Sequence, residues 1–173
     1  MRGIPEGSFT LSEYLPGRDF CVQCLWKQGK LILVKMAERI SYIVGDSPSG
    51  VSSTPALAKT VLEPGVIRVC AKAIRALDPS ASGIYFVDIK QSVEGKPCIT
   101  EINAGRFATI TNIHDLAGSH NMAVTFVRLA LGDRVSIQAP TDFADDYYLV
   151  RSVDTLPAVM HASKFFEGIE CAD

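Results

Sequence analysis

Gly83-Ile-Tyr-Phe-Val-Asp88-Ile89, then the polar break Gln91-Ser-Val-Glu-Gly-Lys96, then Cys98-Ile-Thr-Glu101-Ile-Asn103, reads as a strand, a turn and a returning strand. With a tight turn centred on Glu94-Gly95, antiparallel pairing sets Val93 opposite Lys96, Lys90 opposite Ile99 and Asp88 opposite Glu101. Directly opposed side chains have Cβ atoms about 4.5 to 5.5 Å apart, and two carboxylates at that separation repel unless something positive lies between them. A hard cation with oxygen ligands is the simplest remedy. Side chains alternate across a strand, so Asn103 shares the face of Glu101 and its amide oxygen can join the cluster. Asp88, Glu101 and Asn103 thus suit a magnesium or manganese ion that keeps some waters and takes further ligands from phosphates. The alternative is that both carboxylates lie on a solvated sheet face.

Upstream, Asp19 to Gln28 and Leu31 to Tyr42 are rich in Val, Ile and Leu and read as two strands joined at Gly29. Lys35 and Arg39 fall on the second of them, where they either reach a ligand or stay solvated. Asp46-Ser-Pro-Ser-Gly-Val-Ser-Ser-Thr-Pro55 has the composition of an irregular loop, with a length suited to a substrate or lid role. From Gly65 to Leu77, Ile67, Cys70, Ile74 and Leu77 recur at steps of three and four, while Arg68, Lys72 and Arg75 fall mostly elsewhere. That spacing predicts a packing helix with a solvated basic face, stopped by Asp78-Pro79. A second helix is expected from about Asn121 to Leu131, ended by Gly132, and a late strand at Tyr147-Tyr-Leu-Val-Arg151.

The stretch Thr100-Glu-Ile-Asn-Ala-Gly-Arg-Phe107 resembles the Glu-x-Asn-Pro-Arg motif of the ATP-grasp superfamily, which likewise follows a strand ending in an acidic residue and a Gly-bearing turn. Glu13-Tyr-Leu-Pro-Gly-Arg-Asp19-Phe20 looks like that family's nucleotide-binding hinge strand. Gly45-Asp-Ser-Pro48 is similar to the Gly-Asp-Ser loop of its carbamoyl-phosphate synthase large-chain branch. The likeness runs in the family's order from about Ser12 to Gly132.

The resemblance implies an α+β fold, the C-terminal subdomain of an ATP-grasp domain, with an antiparallel sheet and flanking helices. Residues 1–135 would form the partial ATP-grasp domain, and 136–173 an extension packed on it. It implies ATP as cofactor, with adenine met by backbone groups near Tyr14 and Leu15 and the ribose hydroxyls by Asp19 or its neighbouring candidate Glu13. Asp88, Glu101 and Asn103 would hold the metal against the phosphates, and Arg106 would offset charge developing during phosphoryl transfer. The implied activity is that of a carboxylate-amine or carboxylate-thiol ligase acting through an acyl phosphate. Pro16-Gly17 on its own also fits a plain surface turn.

Two departures bear on this. Asn103 and Arg106 are separated by Ala104-Gly105, one residue more than in the family motif. No Gly-rich phosphate cradle occurs in the sequence, and the family's lysine-bearing N-terminal subdomain does not precede the hinge. The chain is therefore expected to act as the C-terminal part of a catalytic unit. The alternative is a non-catalytic fragment or subunit that completes an ATP site only with a separately encoded N-terminal partner, or as a homo-oligomer. A generic α+β binding module unrelated to ATP remains if the hairpin register differs.

At 173 residues, 47% hydrophobic and 21% charged, the chain has the composition of one globular domain. A net charge of -2 offers no long-range attraction for nucleic acid or an anionic membrane, so neither is expected as a partner. No apolar run approaches a membrane span and no signal-peptide core opens the sequence, so a cytoplasmic location is expected. The five cysteines are scattered and odd in number, which fits free thiols. Cys21-Val-Gln-Cys24 has the form of a redox or zinc half-site, but within a strand its two thiols point to opposite faces. No metal-ligand spacing joins His114, His120 and His161.

Overall fold

A computed structural model describes residues 12–43, 54–152 and 156–165. The Gly45-Asp46-Ser47-Pro48 loop, most of the irregular stretch that contains it, and Cys171 lie outside the described residues. Strands β1 (Asp19–Lys27) and β2 (Lys30–Tyr42) form the expected hairpin. Gln28 and Gly29 sit at its turn with φ of 50° and 73°, the left-handed pair that matches the twist of the flanking strands. Next come β3 (Pro55–Thr60), helix α1 (Pro64–Leu77), β4 (Gly83–Gln91) and β5 (Pro97–Ala104). Helices α2 (Thr111–Leu116) and α3 (Met122–Ala130), strands β6 (Tyr147–Val150) and β7 (Ala158–His161), and α4 (Ala162–Phe165) complete the order.

The strands make one sheet in the order β5-β4-β1-β2-β3-β6-β7, and every neighbouring pair is antiparallel. The fold is α+β, an antiparallel sheet with flanking helices, as expected. β1 lies between β2 and β4, is buried along nearly its whole length, and sends its side chains alternately to two different layers. Phe20, Val22, Cys24 and Trp26 face one side, where they meet Val34, Met36, Val87 and Ile89 and the Val66, Cys70 and Ile74 stripe of α1. Burial of each large side chain there contributes about 1.5–3 kcal/mol. Arg68, Lys72 and Arg75 of α1 are exposed as expected, with Arg75 lying 5.2 Å above the Trp26 ring. Leu77, by contrast, is exposed, and Val66 takes its part in the apolar stripe.

The opposite face is different in kind. Cys21, Ala37, Ala58 and Phe86 pack beneath Ile110 and Ile113 in and beside α2, and charged and amide side chains are set among them. Cys21 and Cys24 do point to opposite layers, both thiols are free, and burial pushes Cys21 up to about 11, so neither is a reactive thiolate at neutral pH.

The structure adds to the expectations at one point and corrects them at two. β3, α2, β7 and α4 carry no strong sequence signal: Pro-Ala-Leu-Ala-Lys-Thr in β3 has only one β-branched residue, and the others span six residues or fewer. Lys35 and Arg39 are neither solvated nor reaching outward, being 1% and 8% exposed and paired to buried carboxylates. The second correction concerns the β4–β5 register. Lys90 faces Cys98, not Ile99, and the turn holds five residues, with Ser92 N–H donating to Lys96 O at 2.9 Å and Gly95 at φ 76°. A bulge at Thr100 then inserts one extra residue in β5, whose hydroxyl donates to Asp88 O at 3.1 Å. The two slips cancel, and Asp88 does stand opposite Glu101.

Candidate functional site

Three rows of paired residues cross the polar face. In the middle row Glu101, Asp88, Cys21, Ala37 and Thr60 follow one another from β5 to β3. On one side lies Asn103, Phe86, Gln23 and Lys35, and on the other Lys90, Asp19, Arg39 and Ala58. Asp88, Glu101 and Asn103 therefore share a face on adjacent strands, as the alternation of β5 predicts. Asp88 is 8% exposed, Glu101 is exposed, and Asn103 is half-buried. The Asn103 Nδ2 is buried with no hydrogen-bond partner.

The Arg39 guanidinium reaches from β2 past β1 to β4. One terminal nitrogen donates to Asp19 Oδ1 at 2.8 Å and the other to Asp88 Oδ1. The Tyr42 hydroxyl donates to Asp19 Oδ2, and Lys90 Nζ stands 3.6 Å from that oxygen. Among the described residues, Asp88 Oδ2 receives no donor. Burial pushes the Asp88 carboxyl above the usual carboxylate range, against the pull of Arg39. Arg39 itself is opposed by burial, but Cys21, Asp19 and Asp88 around it carry its pKa upward, so it is charged at every ordinary pH.

The other sequence-derived candidates flank this cluster from opposite ends of the β4–β5 hairpin. Glu13, Tyr14 and Leu15 precede β1 without forming a strand; Glu13 and Tyr14 are exposed and Leu15 is half-buried. That segment is tied down just beyond them, where Gly17 N–H donates to Gln91 O at 2.9 Å and Gln91 N–H to Arg18 O at 2.9 Å. A Cβ on Gly17 would lie 2.6 Å from Gln91 Cβ, so only glycine allows this approach. Arg106 sits past the other end of β5, after Gly105 turns the chain at φ 74° with its N–H on Ile84 O. It is exposed and makes no ion pair among the described residues. Asp19, grouped with the hinge from sequence, belongs instead to the Arg39 cluster, and both its oxygens already accept hydrogen bonds.

The donor set fits a hard divalent cation. Two opposed carboxylates and an amide oxygen on one rigid face are oxygen ligands, and the Asn103 Nδ2 beside them is buried with no hydrogen-bond partner among the described residues. Among the described residues no group of three or more His, Cys, Asp or Glu could hold a metal ion, and the trio's third member is an amide.

Sequence reading missed the ion pairs of Lys35 and Arg39. Lys35 Nζ donates to Asp115 Oδ1 at 2.7 Å and to the His120 carbonyl at 2.6 Å, fastening the α2–α3 segment over the sheet. The available signal was strand alternation: Lys35, Ala37 and Arg39 share one face of β2 with spacing two.

No family model matches the chain, and no curated protein matches its sequence. Solved structures do match. An L-amino acid ligase from Bacillus licheniformis aligns with a TM-score of 0.58 at 15% identity, covering 79% of this chain and 35% of that one. A carboxyaminoimidazole ribonucleotide synthase from Aspergillus clavatus, solved with ATP, gives 0.58 at 12% identity, covering 80% and 35%. An Archaeoglobus fulgidus protein described as a putative ATP-grasp superfamily member gives 0.51 at 18% identity, covering 86% and 47%. Over about four-fifths of its length the chain has the fold of the matching part of these structures, the putative ATP-grasp protein among them. It spans about a third of the length of the first two structures. At these identities the likeness is one of fold. Among the described residues no helix is long and apolar enough to cross a membrane.

Proposed function

We propose that this chain supplies the C-terminal part of the ATP site of a magnesium-dependent ligase that activates a carboxylate as an acyl phosphate, which an amine or thiol then attacks. The observation that carries the reading is the pairing of Asp88 with Glu101, with Asn103 on the same face, in a sheet whose fold is that of ATP-grasp enzymes. Asp88, Glu101 and Asn103 would hold a magnesium or manganese ion. When bound, such an ion neutralises and aligns the nucleotide's phosphates.

The chain's own residues have separate tasks. The backbone at Tyr14 and Leu15, with Glu13 beside it, would meet the nucleotide base and sugar, anchored by the Gly17–Gln91 ladder. Asp19 lies next to that segment, but its engaged oxygens make it a weaker ribose acceptor than Glu13. Arg106, exposed and permanently charged beyond β5, would offset charge on the transferring phosphoryl group. The Gly45-Asp-Ser-Pro48 stretch favours the carbamoyl-phosphate synthase large-chain branch. Free buried thiols support a cytoplasmic setting.

The test is calorimetric titration of the full chain with ATP, with and without magnesium, alongside Glu101→Ala. Magnesium-dependent binding that disappears in the variant is expected. Binding that is unchanged in Glu101→Ala counts against the site.

A second reading rests on length: the chain spans about a third of the matched ligases, so a separately encoded N-terminal partner or a second copy would complete the site. In that case ATP binds only after the partner is added.

A further inference from the structure

We infer that Arg39 is a positioning residue for the metal carboxylate: its fork, braced by Asp19, holds Asp88 by Oδ1 on the strand facing Glu101. This rests on the proposed metal role of that trio and adds a residue outside it. Asp88 is on β4 and Arg39 on β2, two strands away, so the side chain of Arg39 spans β1, where Cys21 pairs with both Asp88 and Ala37. Both ends of the bridge are buried, the side chains of Arg39, Asp88 and Asp19 being 4%, 11% and 12% exposed. The Phe86 ring flanks the guanidinium, 5.9 Å from Cζ, and the Tyr42 hydroxyl fixes the far oxygen of Asp19. The result is a chain of hydrogen bonds, Tyr42 to Asp19 to Arg39 to Asp88, that engages Asp88 Oδ1 and, among the described residues, leaves Oδ2 without a donor. Metal-ligating carboxylates are held by such partners, and losing one costs roughly tenfold to a hundredfold in metal affinity.

Two simpler roles give different outcomes. An arginine that merely balances two buried acids would be replaced by lysine without effect on metal affinity. An arginine that competes with the metal for Asp88 would, when weakened, let the metal bind more tightly. Lysine keeps the charge but is a point donor, unable to span Asp19 and Asp88 with a planar fork.

The experiment is titration of the full-length chain with Mn2+, followed by electron paramagnetic resonance of free and bound ion, for wild type, Arg39→Lys, Asp19→Asn and Glu101→Gln. Far-ultraviolet circular dichroism checks the fold of each. The expected result is a loss of about tenfold or more in Mn2+ affinity for Arg39→Lys. A smaller loss in the same direction is expected for Asp19→Asn, which leaves Asp88 and Arg39 in place. Wild-type or tighter affinity in Arg39→Lys overturns the inference while leaving the metal site standing, provided Glu101→Gln binds more weakly. If Arg39→Lys does not fold, wild-type affinity in Asp19→Asn overturns it. Glu101→Gln binding as wild type removes the metal from the trio, and both readings fall together.

Discussion

His114 is 2% exposed, and neither of its ring nitrogens has a partner among the described residues. Burial, helped by the charges of Lys35 and Arg39, holds its pKa down at about 3. The neutral imidazole is therefore the form that folds. Because the folded value lies below the unfolded one, this contribution is fully present above pH 6.5 and is lost as the pH falls toward 3. The unfolded chain takes up a proton there that the folded chain refuses. The loss amounts to about 5 kcal/mol at the acid end. His114→Leu, which fills the site without titrating, is expected to be as stable as wild type at pH 7 and more stable at pH 4. Urea unfolding at the two pH values measures this. Equal acid sensitivity in the two proteins would show that His114 is not what the acid attacks.

At the scale of elements, α2 and α3 are fastened to the sheet by a buried ion pair as well as by the apolar packing of Ile113 and Met122. Lys35 and Asp115 are 1% and 7% exposed at the side chain, and Asp115 Oδ1 also accepts the Met122 N–H at the start of α3. Removing one partner of such a pair leaves a bare buried charge, and Lys35→Met is expected to cost about 3–5 kcal/mol. Adding Asp115→Asn removes that charge, so the double variant should be more stable than Lys35→Met alone. A double-mutant cycle in thermal unfolding checks both statements.

The same scale shows what the sequence could reveal. Strands β1, β2, β4 and β5 and helices α1 and α3 are legible because their apolar residues repeat with the right period. Registers are not, because the β1–β2 and β4–β5 hairpins each carry a bulge with no composition of its own. Extending the tight β1–β2 turn without a bulge would set Asp19 opposite Glu38; the extra residue at Ile32 sets it opposite Arg39 instead. The Asp88–Glu101 pairing came out right only because the bulge at Thr100 offset a misjudged turn. The Arg39 cluster was hidden for this reason: it depends on a one-residue slip, which leaves no pattern in a linear string.

For the molecule as a whole, the sheet continues past the candidate site through β6 and β7. Leu57, Ala58 and Lys59 of β3 pair with Val150, Leu149 and Tyr148. Nearby backbone bonds, Asp146 N–H to Thr60 O at 3.0 Å and Ala144 N–H to Ala117 O at 2.7 Å, tie this edge to the α2 segment. A truncation ending at Asp145 would leave β3 as a bare edge and expose the buried Leu149 neighbourhood. Lower soluble yield and a lower Tm are expected for it. An unchanged melting curve would mean that the last two strands are dispensable for the sheet.

The five-residue turn and the Thr100 bulge also form a parity-matched pair. Ile99 faces the apolar layer and Glu101 the polar one, although they are separated by two positions. Drift in loop length is usually free, but here a single insertion or deletion in the turn would invert every side chain up to the bulge, and loss of the bulge alone would send Glu101 into the apolar layer. Length changes in this hairpin can be inherited only in twos, or as a loop change and a bulge change together, so the spacing of the two carboxylates is guarded by a counting rule rather than by the identity of any residue between them.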